Sequence, residues 1–207
     1  MPLYSIMTFK HMGFKVEPYI ITQNHNVSSF SFWTRGTVKE FLRFGSRTVV
    51  SRTQAGNRQS VLQENEAAFE NSVVVHARVR PDGLAAAVIT DVNYPGRVAF
   101  NLIEKALSEV EEALPEWEDV ATDQALEIPA LADQLALFDN PADADDITRI
   151  QSDLDETQEN MLVAIDKLLE RGERIEELVQ RSSDLSATSR TFAKQSKKLN
   201  KCSCTIL

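Results

Sequence analysis

Short apolar runs and one long helical stripe divide this chain into two unlike parts. Leu3–Phe9 and Tyr19–Thr22 read as strands with Lys10–Pro18 turning between them, and Ser28–Trp33 is an aromatic, serine-rich approach to the next element. Thr37 is placed as the N-cap of a helix running to about Arg52, with Glu40 three residues on completing a capping box. On that helix Val38, Leu42, Gly45 and Val49 form one stripe at about 100° per residue, and Phe41 flanks it. Phe44 falls roughly 100° from the centre of the stripe, beside Glu40, Arg43 and Arg47. Gly56-Asn57 ends the pattern. Gln59–Gln63, Ser72–Val79 and Leu84–Thr90 then read as three strands, the last two joined by the turn Pro81-Asp82-Gly83. From Pro95 the spacing of Val98, Leu102, Ile103, Ala106, Val110 and Leu114 predicts a helix ending at Pro115, and Ile128–Phe138 suits one more short helix. The order β-β-α-β-β-β-α predicts an α+β domain on a five-stranded antiparallel sheet, and not a parallel βαβ repeat. Glu116–Asp146, with Pro129 and Pro141, reads as a mobile or loosely packed connector.

Beyond Asp146 the period changes. Ile147, Ile150, Leu154, Thr157, Met161, Ala164, Leu168, Arg171, Ile175, Leu178, Ser182, Leu185, Ser189, Phe192, Ser196 and Leu199 follow alternating steps of three and four. This a/d register predicts one long coiled-coil helix of roughly 80 Å, too long to bury its seam on a small domain. An ordinary surface helix and a homodimeric coiled coil share the pattern. Arg171 stands within the stripe, and a guanidinium there is costly unless partners supply acceptors. Two copies in a homodimer would repel, so the seam calls for unlike helices offering neutral carbonyls such as glutamine amides. The alternative is that Arg171 snorkels out of a loose seam. Gly172 and the serines at 182, 183, 186, 189 and 196 are weak helix formers, so the segment is expected to order on binding.

Charge sharpens this division. Residues 1–103 carry 11 basic and 7 acidic side chains, residues 104–146 carry 14 acidic against Lys105 alone, and residues 147–201 hold 10 of each. The net −9 is therefore local, and no basic footprint for nucleic acid is present. Both cysteines lie in the tail, so no disulfide framework is expected, and two thiols without nearby histidine do not close a zinc shell. No apolar run is long enough to span a membrane, and the N-terminus lacks a signal-peptide layout. The final Cys204-Thr205-Ile206-Leu207 is instead a C-a-a-X box for prenylation, with leucine favouring a geranylgeranyl donor. Cys202 and the cations Arg190, Lys194, Lys197, Lys198 and Lys201 supply the second signal that stable anchoring needs. Two free thiols on a frayed end are the plainer reading of the same residues.

Several of these stretches resemble one family. Leu154-Asp155-Glu156-Thr157 and Ile165–Glu173 are similar to the core motif of R-SNAREs, and Ser28–Phe32, Arg58–Val61 and Tyr94–Phe100 resemble the longin domain that precedes some of them. The resemblance is to the prenylated, lipid-anchored longin R-SNAREs and covers essentially the whole chain. It implies a profilin-like longin domain over 1–138, an acidic linker over 139–146, an R-SNARE motif over 147–200 and a lipidated tail over 201–207. It further implies that Arg171 forms the ionic layer of a parallel bundle with three Q-SNARE helices, and that a prenyltransferase modifies Cys204. Cys202, separated from it by Ser203 where the family often has adjacent cysteines, would carry palmitate or a second prenyl group. SNARE disassembly machinery is an implied partner, as are the membranes of the Golgi, endosomes, vacuole or lysosome and autophagosomes, beside a cytosolic pool. In such proteins the longin domain folds back on its own SNARE motif, which makes Phe44 a candidate for an autoinhibitory groove. A non-fusogenic longin adaptor that merely occupies partner helices is the competing reading.

No enzyme is expected. His11, His25 and His76 have no carboxylate or cysteine at catalytic or ligand spacing, and no nucleotide, metalloprotease or nucleophile-elbow signature occurs. No cofactor is expected beyond the covalent lipids.

Overall fold

The computed structural model describes residues 2–63, 72–142, 144, 162–169 and 172–202, without the side chains of 196–202. Its sheet is built from β1 (Leu3–Lys10), β2 (Tyr19–His25), β3 (Arg58–Gln63), β4 (Val73–Val79) and β5 (Leu84–Asp91). All neighbouring pairs among these five strands are antiparallel, as predicted. The spatial order β2-β1-β5-β4-β3 puts β5 at the centre. Every residue of β5 is buried. Ala85, Ala86 and Ala87 keep it thin, which lets helices approach closely from both sides. The β4–β5 turn uses Gly83 at φ +98°, a region that glycine enters without penalty, and Asp82 Oδ1 accepts the Leu84 N–H at 3.0 Å.

Helix α1 (Arg35–Ser51) covers one face of the sheet, and α2 (Gly96–Ala113) and α3 (Pro129–Leu137) cover the other. Helix α1 starts two residues before the predicted cap. Arg35 donates to the Phe30 and Ser28 carbonyls at 3.0 and 2.9 Å, and the Arg35 N–H already bonds Ser31 O. These bonds set the first turn upstream of Thr37. Glu40 is consequently not part of a capping box.

The acidic stretch departs from expectation more strongly. Trp117, Ile128, Leu131, Leu135 and Phe138 are buried in the α2-side core. The Gln124 and Leu126 N–H groups donate to the Ile20 and Ile21 carbonyls, and the Lys10 ammonium donates to Glu118 O and Val120 O. The connector is therefore packed through most of its length. Its composition is acidic because its outward positions are, while its spaced apolar residues complete a core.

The greatest departure lies in the C-terminal segment. In place of one long helix, the described residues form a strand β6 (Leu162–Ala164), a 3-10 turn (Ile165–Lys167), α4 (Ile175–Arg181) and α5 (Ala187–Cys202). Strand β6 pairs parallel to β3, so the sheet has six strands in the described residues. Gly172 at φ +95° and Ser182 in an extended conformation break the helix. A straight amphipathic helix without partners would leave its stripe in water, whereas a segmented one bends around the domain and buries it.

Candidate functional site

Helix α1 has apolar residues on more than one side. Val38, Leu42 and Val49 pack toward the sheet, and Phe41 and Phe44 join the same cluster. Phe44, only 3% exposed, shares that cluster with Val179, Leu185 and Ala193, while Ile165, Leu168, Ile175, Leu178 and Phe192 pack against it half-buried. The C-terminal segment thus closes the α1 side of the domain. It runs antiparallel to α1, as three polar anchors show. Arg52, at the helix end, donates to Glu173 at 2.7 Å; Arg47 pairs with Asp184; and Glu40, in the second turn, accepts the Ser186 N–H at 2.7 Å.

The central anchor is a charge cluster. The Arg47 guanidinium meets Glu17 at 2.8 Å and Asp123 at 2.6 Å, and its Nε lies 3.1 Å from Asp184 Oδ2 as an ion pair without hydrogen-bond alignment. Arg47 and Asp184 are buried, whereas Glu17 and Asp123 are half exposed. Burial alone would lower the Arg47 guanidinium, but Asp123, Asp184 and Glu17 raise it above its ordinary value. Burial pushes the Asp184 carboxyl up to about 6, against the pull of Arg47 and Arg43. Glu17 also accepts the Ser183 hydroxyl at 3.1 Å. Burial would raise Glu40, yet the bonds it accepts from Ser186 and Ser189 hold it below the usual carboxylate range. Ser186 in turn caps α5, its Oγ accepting the Ser189 N–H at 3.2 Å. A cleft of about 310 Å³ remains along the seam between Lys15, Phe44, Arg47, Arg52, Leu178 and Asp184.

Six positions of the heptad stripe meet in this seam: Leu168, Ile175, Leu178, Leu185, Ser189 and Phe192. Ser182 is half-buried, its carbonyl accepting from Arg190 at 2.7 Å, and Ala164 is exposed on β6. Ile147, Ile150, Leu154, Thr157, Met161, Arg171 and Cys204 lie outside the described residues, and Ser196, Leu199 and Cys202 belong to α5 without described side chains. Val179, Ala193, Asp184, Glu17 and Asp123 were not singled out by the sequence. Val179 is apolar but off the heptad register, and a carboxylate partner for Arg47 cannot be chosen among many acids without the fold.

His25 and His76 are structural. Ser5 and Ser60 hydroxyls sit 2.9 and 2.8 Å from their Nδ1 atoms, and burial lowers each ring to about 4. Among the described residues no cluster suits a metal ion, and no helix is long and apolar enough to cross a membrane.

The sequence of this chain, from the sheet domain to the heptad segment, matches known families. The Regulated-SNARE-like (longin) domain model matches residues 27–134, and the Synaptobrevin model matches residues 146–205. The chain belongs to the longin-containing synaptobrevin family of R-SNAREs. It is 39% identical to the synaptobrevin homolog YKT6 of Eremothecium gossypii over 210 residues, covering all of both chains. It is 39% identical to the VAMP-like protein YKT61 of Arabidopsis thaliana over 208 residues, again end to end, and 37% identical to the Saccharomyces cerevisiae synaptobrevin homolog YKT6 over 210. The family acts in vesicle traffic through partner SNAREs and is not enzymatic.

Proposed function

We propose that this R-SNARE is held inactive by its own longin domain and drives membrane fusion once released. One observation carries the reading. Leu168, Ile175, Leu178, Leu185, Ser189 and Phe192 lie on the stripe that a four-helix bundle would bury, and the same side chains are covered by the α1 face. A side chain cannot face both, so docking and bundle assembly compete for one surface. Freed, residues 147–199 form a continuous helix with three Q-SNARE helices in parallel, and Arg171 sets the register by donating to their glutamine amides. Eleven of the sixteen layers are apolar, and at about 1–2 kcal/mol of burial each before ordering costs they supply on the order of 10–20 kcal/mol for bringing membranes together.

The tail completes the device. A prenyl chain on Cys204, added by a prenyltransferase, and a palmitoyl or second prenyl group on Cys202 anchor the bundle's C-terminal end to Golgi, endosomal or vacuolar membranes. Disassembly machinery then returns the segment to the longin domain. The test is lipid mixing between vesicles carrying the lipid-anchored full chain and vesicles carrying matched Q-SNAREs. Mixing is expected with wild type and lost with Arg171→Glu, which puts acceptors where donors are needed. Bundle formation without lipid mixing in the wild type would replace fusion with the tethering role of an adaptor.

A further inference from the structure

The loop entering α1 presents two large aromatic side chains to water. Phe32 is 75% and Trp33 87% exposed, and their rings pack edge-to-face on each other at 5.5 Å. This is not a slack loop. Arg35 clamps the Ser28 and Phe30 carbonyls, the Thr34 hydroxyl donates to Ser31 O at 3.0 Å, and Phe30 is pinned against the Tyr4 ring at 5.8 Å. The fold thus holds a phenyl–indole pair outward at no gain to its own core. An exposed apolar pair on a fixed support signals an interaction surface.

Its surroundings select the partner. No carboxylate occurs from residue 18 to residue 39, while Arg35 and Lys39 stand beside the pair. The pair precedes the N-terminal end of α1, and α5 starts at that same end, where Ser186 is bonded to Glu40. From there α5 spans about 24 Å of helix and ends at Cys202, and no acidic residue follows Asp184. An aromatic pair and a cationic setting, in a chain of net charge −9, thus stand at the end of α1 from which the tail-bearing helix departs. Indole and phenyl rings with nearby cations favour the headgroup layer of an anionic bilayer.

We propose that Phe32 and Trp33 form an auxiliary membrane contact, inserting into the interface of an anionic bilayer once the tail has tethered the chain. The contact is too small to bind membranes unaided; it orients the folded domain with the α1 N-terminus toward the lipid.

The chain provides its own probes. It has two tryptophans, and Trp117 is buried, so a change in solvent access reports Trp33. Its two cysteines both lie in the tail, so maleimide-headgroup lipid couples the full chain to vesicles at its natural attachment point. On phosphatidylcholine–phosphatidylserine vesicles, tethering should shift Trp33 emission to the blue, shield it from iodide and expose it to quenching by lipids brominated on the upper acyl chain. Phe32→Ser should weaken all three effects, and Trp33→Phe should abolish the quenching while the fold is kept. A tethered chain whose Trp33 keeps the emission and iodide access of the untethered chain would overturn the proposal and leave the pair to a protein partner.

Discussion

Gly172→Ala should release the C-terminal segment without touching any contact. Gly172 adopts φ +95° in the folded-back chain, and a Cβ built there meets nothing within 4 Å. Steric clash and lost packing are thus removed from the argument, and only backbone preference remains. An L-residue in the left-handed region costs about 1–2 kcal/mol relative to glycine. In a continuous helix the sign reverses, since alanine is favoured over glycine by about 1 kcal/mol. Both terms favour the assembled bundle, but only the first acts on a released segment that orders on binding, so release gains about 1–2 kcal/mol, or roughly 5- to 30-fold in the docked-to-released ratio at 1.4 kcal/mol per tenfold. Hydrogen exchange of the α4 and α5 amides measures that ratio directly, because these amides exchange through the released form. Protection across Ile175–Ala193 should fall by this factor while β1, β4 and β5 stay unchanged, and assembly with Q-SNARE helices should accelerate. A D-alanine at the same position should do the opposite. Unchanged exchange in Gly172→Ala would refute the idea that the positive-φ turn holds the segment folded back.

Phe44→Glu, which places a carboxylate in the seam at a position only 3% exposed, should cost the docked form about 3 kcal/mol or more and raise trypsin cleavage at Arg174, Arg181 and Arg190; a well-folded variant with unaltered cleavage would remove Phe44 from the closure. Asp184 predicts a pH dependence. Its carboxyl is raised to about 6 from an ordinary 3.8, so the docked form binds the extra proton. Through Asp184, docking should strengthen as pH falls from about 6 to 4, by on the order of 2–3 kcal/mol, and this effect should vanish above that window, while Glu40, held low by Ser186 and Ser189, opposes it once pH falls below the usual carboxylate range. Asp184→Asn should flatten the dependence of α4 and α5 exchange on pH across this range. Cys204→Ser should abolish stable membrane association in fractionation, since two aromatic rings do not replace a prenyl chain worth about 0.8 kcal/mol per buried methylene, whereas Cys202→Ser should retain prenylation but shorten residence.

The domain's sheet was legible in the sequence because its strands are bounded by local signals. Pro81-Asp82-Gly83 makes a turn wherever it stands, and the apolar runs around it leave few other pairings. The heptad stripe was equally plain, because a period of three and four survives in any context. What that stripe covers was not legible. A helical pattern states which side chains need burial and leaves open whether a partner bundle or the chain's own domain supplies it. The same Leu178, Leu185 and Phe192 suit both, and the fold resolves the choice by breaking the helix at Gly172 and Ser182. Phe44 illustrates the limit from the other side: its angle on α1 marks it as off the inner stripe, yet in the folded chain it is buried in a cluster that includes Val179, Leu185 and Ala193. The acidic connector misled for a related reason. Charge density describes the outward residues of 116–146, while Trp117, Leu131 and Phe138 are fixed by a surface that exists only once α2 and the sheet have met. Local propensity and periodicity thus settled the elements of the sheet domain, the resemblance of particular motifs pointed to the family, and tertiary packing decided how the C-terminal segment is broken and which surfaces it shares, because burial depends on neighbours distant in the chain.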